Sequence, residues 1–222
     1  MNDLMSQYQP PPPGQMRYVR NFQALFVALR NWAFKLHSEN GQTWADGKPY
    51  GAHLDAVVDV LNRFGYVDME NPVHQVLRLS ALAHDLLEDV NVDPITLRVL
   101  QGPDVLALVS AVTDEPGANR AERHAKTYPK IAATPWALVL KMADRISNVE
   151  ASLAFGPAKK LTMYRQEHPG FREALYRPGG PEEPMWALLD ELLETAPAAA
   201  APVAPERDSV GVQTSLFQLD EF

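Results

Sequence analysis

The segment 72–89, PVHQVLRLSALAHDLLED, constrains this chain more than any other. Val76, Leu79, Ala83, Leu86 and Leu87 share one face at helical spacing, and Leu77, Ala81 and Leu82 fill much of the remaining surface. A helix apolar nearly all round is buried inside a larger helical body. His84 and Asp85 interrupt it. An imidazole and a carboxylate buried without partners are strongly unfavourable, so something must satisfy them. Glu88 and Asp89 follow one turn later, and the i,i+4 spacing stacks Glu88 over His84 and Asp89 over Asp85. Acids packed so closely repel unless a cation or a proton intervenes.

The flanking sequence predicts further helices. Phe22, Leu25, Phe26, Leu29, Trp32, Ala33 and Leu36 keep a 3.6-residue period, which places a helix over 17–39. The stretch NGQTWADGKPYG reads as a loop, and 51–64 as a second helix with His53 in its first turn. Helices are expected over 94–100, 103–114, 118–132, 135–154, 157–167 and 183–195. Thr134-Pro135 is expected to cap and open the 135–154 helix. No run of alternating β-branched residues appears, so the fold class is all-α.

Composition narrows the chemistry. The 222 residues include no cysteine, which removes disulfides, thiolate metal sites and a cysteine nucleophile, and fits a reducing cytoplasm. A transition metal here would be held by His and carboxylates, favouring Mn, Fe, Mg or a His-rich Zn site. The formal net charge of -8 argues against nucleic-acid binding by the whole surface. No apolar run approaches the ~18 residues of a membrane span, and the N-terminus lacks the pattern of a secretory signal.

The domain organisation follows composition. Residues 1–15, with Pro10 to Pro13 in succession, read as an extended arm. Residues 16–195 form the helical domain. Residues 196–222 begin with an Ala/Pro-rich linker and end in an apolar peptide, so both termini are expected to be disordered.

Two more polar anomalies accompany His84-Asp85. Asp144 sits among Val139, Leu140, Met142, Ala143 and Ile146, with Lys141 and Asn148 nearby on the same helix. His53 follows the Gly-Lys-Pro-Tyr loop. Two histidines and two aspartates from three helices could converge on one divalent ion, leaving positions for water or substrate oxygen. Each residue alone has a plainer reading. A buried His is commonly a satisfied core residue, Asp144 could pair with Arg145 or Lys141, and Glu88 and Asp89 could mark a helix end.

Taken jointly, four pieces resemble one family in order: GQTWADGKPYGAH (41–53), LSALAHDLLEDV (79–90), VSAVTDE (109–115) and LVLKMADRISNVEA (138–151). The chain resembles an HD-domain phosphohydrolase, and more narrowly the hydrolase domain of the RelA/SpoT alarmone enzymes and their small stand-alone relatives. The resemblance implies an HD-domain helical bundle with manganese as its typical metal. It implies removal of pyrophosphate from the ribose 3′ position of guanosine tetra- or pentaphosphate, (p)ppGpp. It assigns His53, His84, Asp85 and Asp144 as metal ligands. Glu88 and Asp89 become the acids that position and deprotonate the attacking water. Arg145 and Asn148 match positions near ribose and phosphate, and Lys141 is a further phosphate contact.

Three positions depart from the family. Trp44 stands where an Arg usually packs against guanine, Leu54 follows His53 in place of Pro, and Val90 replaces a common Thr. An indole still offers a stacking face. Trp44 therefore favours, as the alternative, an HD-domain hydrolase acting on another nucleotide or deoxynucleotide phosphate. A third reading is a catalytically idle nucleotide-binding module.

The terminal QTSLF, with Gln213, Leu216 and Phe217, resembles the short peptide by which bacterial replication proteins bind the sliding clamp: two apolar anchors on a mobile tether. The alternative is a terminus that docks on its own domain or on a dimer mate, which leaves a homo-oligomer open.

Overall fold

The computed structural model describes residues 16–195 apart from Tyr18 and Asp46. The expected arm and tail, including Gln213, Leu216 and Phe217, lie outside the described residues. Nine helices occur among the described residues. They are α1 (Phe22–Glu39), α2 (Gly51–Arg63), α3 (Pro72–Ala83), α4 (Pro94–Gln101), α5 (Pro103–Val112), α6 (Arg120–Ala133), α7 (Ala137–Ala154), α8 (Ala158–Leu175) and α9 (Glu183–Thr195). The all-α expectation holds. One small hairpin, β1 (Thr43–Trp44) and β2 (Lys48–Pro49), joins α1 to α2. Among the described residues no helix is long and apolar enough to cross a membrane.

Helix α3 is the buried centre. Asn71 caps it, accepting from the Val73 N–H, and Pro72 opens it at a position where its missing N–H costs nothing. Every residue from Gln75 to Ala83 is buried. The helices α1, α2, α5 and α7 pack around it. Leu54, Leu61, Leu77, Leu79, Leu82, Leu108 and Ile146 are almost completely removed from solvent in the shared core. Burial of one such side chain is worth roughly 1.5–3 kcal/mol, so apolar packing holds the polar residues among these helices in place.

Several boundaries differ from the sequence expectation, each for a local reason. The helix expected from residue 17 starts at Phe22, because Asn21 takes a left-handed conformation at φ 54°. Ahead of it the Val19 N–H donates to Gln75 Oε1 at 2.8 Å, tying the entry segment to α3. The expected loop before His53 contains the hairpin, whose strands are too short to show alternation. The expected 72–89 helix ends at Ala83, and His84 to Asp89 form successive turns. Thr134 closes α6 and does not open α7; Trp136 at φ 69° separates the two, so Pro135 lies in the connection and outside the first helical turn. Helix α8 runs past the expected end at 167 and through Pro169, carried by the buried anchors Phe171 and Leu175 beyond it.

Candidate metal centre

Three elements aim four donors at one point. Gly51 opens α2 where a Cβ would meet the Phe34 ring at 2.5 Å, so only glycine permits α1 and α2 to approach this closely. That approach seats His53, two residues on, inside the bundle with 1% exposure. The α3 terminus supplies His84 and Asp85, and the buried face of α7 supplies Asp144.

The donors converge. His53 Nε2 lies 3.2 Å from His84 Nε2. Asp144 Oδ1 is 3.4 Å from His53 Nε2 and 3.7 Å from His84 Nε2. Asp85 Oδ2 is 2.9 Å from His84 Nε2 and 3.6 Å from His53 Nε2. His53, His84 and Asp144 each offer an atom within 4.8 Å of the others, a spacing that one ion could bridge.

The second nitrogen of each imidazole is occupied. His84 Nδ1 lies 2.8 Å from the Ala81 carbonyl, which cannot donate, so Nδ1 carries a proton and Nε2 is the nitrogen turned toward the cluster. His53 Nδ1 is 3.3 Å from Ser147 Oγ. The His84–Ala81 bond also explains the end of α3, since the side chain occupies a last-turn carbonyl. The donor set therefore suits a divalent ion: two imidazole nitrogens presented by fixed rings, and two carboxylates with no thiolate.

Burial opposes charge on His53 and His84, but the hydrogen bonds and charges of Asp144 and Asp85 outweigh it and raise both imidazoles above their ordinary value. Burial pushes the two carboxylates up, yet they are held below the usual range. The charge and hydrogen bonds of His84 and His53 do this for Asp85; Lys141, His53 and His84 do it for Asp144. Both acids stay ionised, as ligands must.

The other expected residues surround this centre. Glu88 and Asp89 line the same cleft, of about 190 Å³, and burial raises both above the ordinary carboxylate value. Glu88 Oε2 accepts the Asp114 N–H at 3.1 Å, which holds it in place. The turn in which these acids sit keeps one bond of helical spacing, Asp89 N–H to the Asp85 carbonyl at 2.8 Å. Lys141 Nζ pairs with Asp144 Oδ2 at 3.1 Å. Asn148 Nδ2 donates to Asp144 Oδ1 at 2.6 Å, and Trp44 Nε1 donates to Asn148 Oδ1 at 3.2 Å. Arg145 lines the cleft but spends its guanidinium on α8, donating to the Tyr164 carbonyl at 3.1 Å and lying 4.5 Å over the Phe171 ring.

Sequence reasoning passed over several residues. Tyr50 donates its hydroxyl to Asp85 Oδ2 at 2.6 Å and stacks on His37 at 4.4 Å. Its signal was a Pro-Tyr pair directly ahead of the His53 helix. Ser147 was hidden as a small polar residue among apolar ones. Arg120 and His124 also line the cleft, and their i,i+4 spacing on α6 could have marked them as one face.

No family model matches the chain. Curated relatives do. A guanosine-3′,5′-bis(diphosphate) 3′-pyrophosphohydrolase of Aquifex aeolicus is 24% identical over 197 residues, covering 87% of this chain and 27% of the relative. A probable enzyme of the same name from Synechocystis is 26% identical over 142 residues, covering 61% and 18%. A Drosophila melanogaster enzyme of that name is 27% identical over 127 residues, covering 57% and 68%. The chain thus spans less than a third of the two bacterial relatives. Among solved structures, a metazoan SpoT ortholog described as hydrolysing ppGpp aligns at TM-score 0.64 and 24% identity, over 77% of this chain and 94% of its own. A Listeria monocytogenes protein aligns at TM-score 0.51 and 21% identity, over 68% and 97%.

The fold is the helical bundle of the HD-domain phosphohydrolases. In sequence the chain resembles the RelA/SpoT-type hydrolase domain and the small stand-alone alarmone hydrolases, as the four sequence pieces implied.

Proposed function

We propose that the chain is a divalent-metal-dependent hydrolase, working in the cytoplasm with manganese, that releases pyrophosphate from the 3′ position of guanosine tetra- or pentaphosphate. The observation that carries this is the convergence of His53, His84, Asp85 and Asp144, with Glu88 and Asp89 lining the same cleft. The names of the relatives support the substrate class.

The metal ligands would be His53, His84, Asp85 and Asp144. A divalent ion there supplies Lewis acidity and a more acidic water. In the reaction a water oxygen bonds to the phosphorus attached at O3′, the P–O3′ bond breaks, and the ribose keeps a hydroxyl. Glu88 and Asp89 orient that water, take its proton and return one to the departing O3′ oxygen. Lys141 and Asn148 hold the Asp144 carboxylate and face the phosphates, while Arg145 lines the same cleft with its guanidinium held against α8. The domain would span 16–195. Gln213, Leu216 and Phe217 would act separately, as a peptide for a sliding clamp.

The test is release of pyrophosphate from guanosine tetraphosphate by the purified protein with Mn²⁺. No release, with turnover of another nucleotide in the same screen, would replace the alarmone substrate. Trp44 favours that second reading, because it stands where the family carries an arginine. Deleting 213–222 should abolish capture by a sliding clamp, and unchanged capture would end the clamp reading.

A further inference from the structure

We infer that Trp44 is a positioning residue for the metal centre, setting the orientation of Asn148 and, through it, of Asp144. The inference rests on the metal-centre reading proposed above. It assigns the Trp44 edge a task apart from any stacking on a base.

The hydrogen-bond chemistry allows one arrangement. An indole N–H only donates, and an ionised carboxylate only accepts. The Asn148 amide lies between them and carries one group of each kind. Its oxygen must face Trp44 Nε1, at 3.2 Å, and its NH₂ must face Asp144 Oδ1, at 2.6 Å. Without the indole N–H, the amide could rotate and set its oxygen against the carboxylate, a repulsive contact. With it, Asp144 Oδ1 is pinned beside His53 and His84, while Lys141 holds Oδ2 from the other side. The carboxylate plane is thereby fixed from both ends.

The backbone places Trp44 for this role. Its strand pairs Trp44 with Lys48, and the tip turns through Ala45 at φ 50° and Gly47 at φ 88°. The turn returns the chain at once to Tyr50 and α2, so the hairpin lies against the helix that bears His53. The Trp44 ring sits 5.2 Å from the His53 ring at an interplanar angle of 39°. One side chain therefore touches one metal ligand and steers a second through a single amide.

The experiment titrates Mn²⁺ alone into chelator-treated full-length protein, comparing wild type, Trp44→Phe, Asn148→Ala and the double variant. Phenylalanine keeps an aromatic ring at this position and removes the N–H together with the five-membered part of the indole, so the double variant separates the lost N–H from lost packing. Trp44→Phe should bind Mn²⁺ about tenfold more weakly, the usual scale for groups that orient metal ligands. The double variant should bind no more weakly than Asn148→Ala, since the indole acts only through the amide. With guanosine tetraphosphate, Trp44→Phe should lose kcat at limiting Mn²⁺ and recover it at saturating Mn²⁺, with KM unchanged. In the metal-free protein, the Trp44 indole proton should exchange faster in Asn148→Ala.

Wild-type binding of Mn²⁺ with equal binding by Trp44→Phe would overturn the inference and leave the metal centre standing. Additive losses in the double variant would also overturn it. No Mn²⁺ binding by the wild type would bring down both the inference and the metal-centre reading.

Discussion

Tyr50 donates its hydroxyl to Asp85 Oδ2 at 2.6 Å, the same oxygen that faces the His53 and His84 rings. The phenol is held neutral by burial and by Asp85, which both push its pKa far above the ordinary tyrosine value. It thus remains a donor at neutral pH. Tyr50→Phe should lower Mn²⁺ affinity about tenfold. The ring stacked on His37 stays, so thermal stability should change little. An unchanged Mn²⁺ affinity by calorimetry would mean that Asp85 is oriented without this bond.

Metal should stabilise the folded chain. An ion that binds only the folded state shifts unfolding by mass action. At an ion concentration 100 times Kd the gain is about 2.7 kcal/mol. Thermal unfolding should therefore rise by several degrees on adding Mn²⁺ and fall back on adding a chelator. Asp144→Ala should lose that response. A variant that kept the full shift would place the ion elsewhere.

Glu88 is expected to act on water and not on the metal itself. Its carboxylate is held by the Asp114 N–H, outside the cluster of four donors. Glu88→Gln keeps the shape and removes the base. It should lower kcat by about 10²–10⁴-fold while leaving Mn²⁺ affinity near wild type. Equal loss of metal binding and turnover would instead make Glu88 a ligand.

His74 gives a pH dependence remote from the metal centre. Its Nδ1 accepts the Asp68 N–H at 3.1 Å, and burial lowers its pKa below the ordinary value. A histidine depressed in the fold takes up its proton more readily when unfolded. Its contribution is present above the unfolded pKa of about 6.5 and is lost as pH falls through the folded value. Melting temperature should drop between pH 7 and pH 5. His74→Gln, whose amide oxygen can accept the same N–H, should show a shallower drop. Parallel melting curves for the two proteins across that range would remove His74 from the account.

The buried helices were legible because burial writes itself into sequence. Leu77, Leu79, Leu82, Val139, Leu140 and Ile146 keep helical spacing, and their helices pack together as expected. His53, His84, Asp85 and Asp144 were legible for the opposite reason, as polar residues that such helices do not tolerate unpaired. What stayed hidden was geometry decided by single bonds. His84 ends α3 by bonding the Ala81 carbonyl, and no periodicity reports a side chain that competes with the backbone. The hairpin has two residues per strand, too few for a pattern. Tyr50 and Ser147 matter only through the residues they touch.

Arg145 is where the sequence expectation and the structure point to different experiments. The family pattern places it near phosphate. Here its guanidinium is 5% exposed, donates to the Tyr164 carbonyl, and lies over the Phe171 and Tyr164 rings. Glu167 stands 3.5 Å from Nη1, so the charge is not left alone. A lysine at this position would keep the charge but lose the planar stack and the fixed donor directions. Arg145→Lys should therefore destabilise the α7–α8 contact by about 1–3 kcal/mol, read as a lower melting temperature. Any fall in turnover should follow the folded fraction, with KM close to wild type. An unchanged melting temperature with a raised KM would return Arg145 to the substrate.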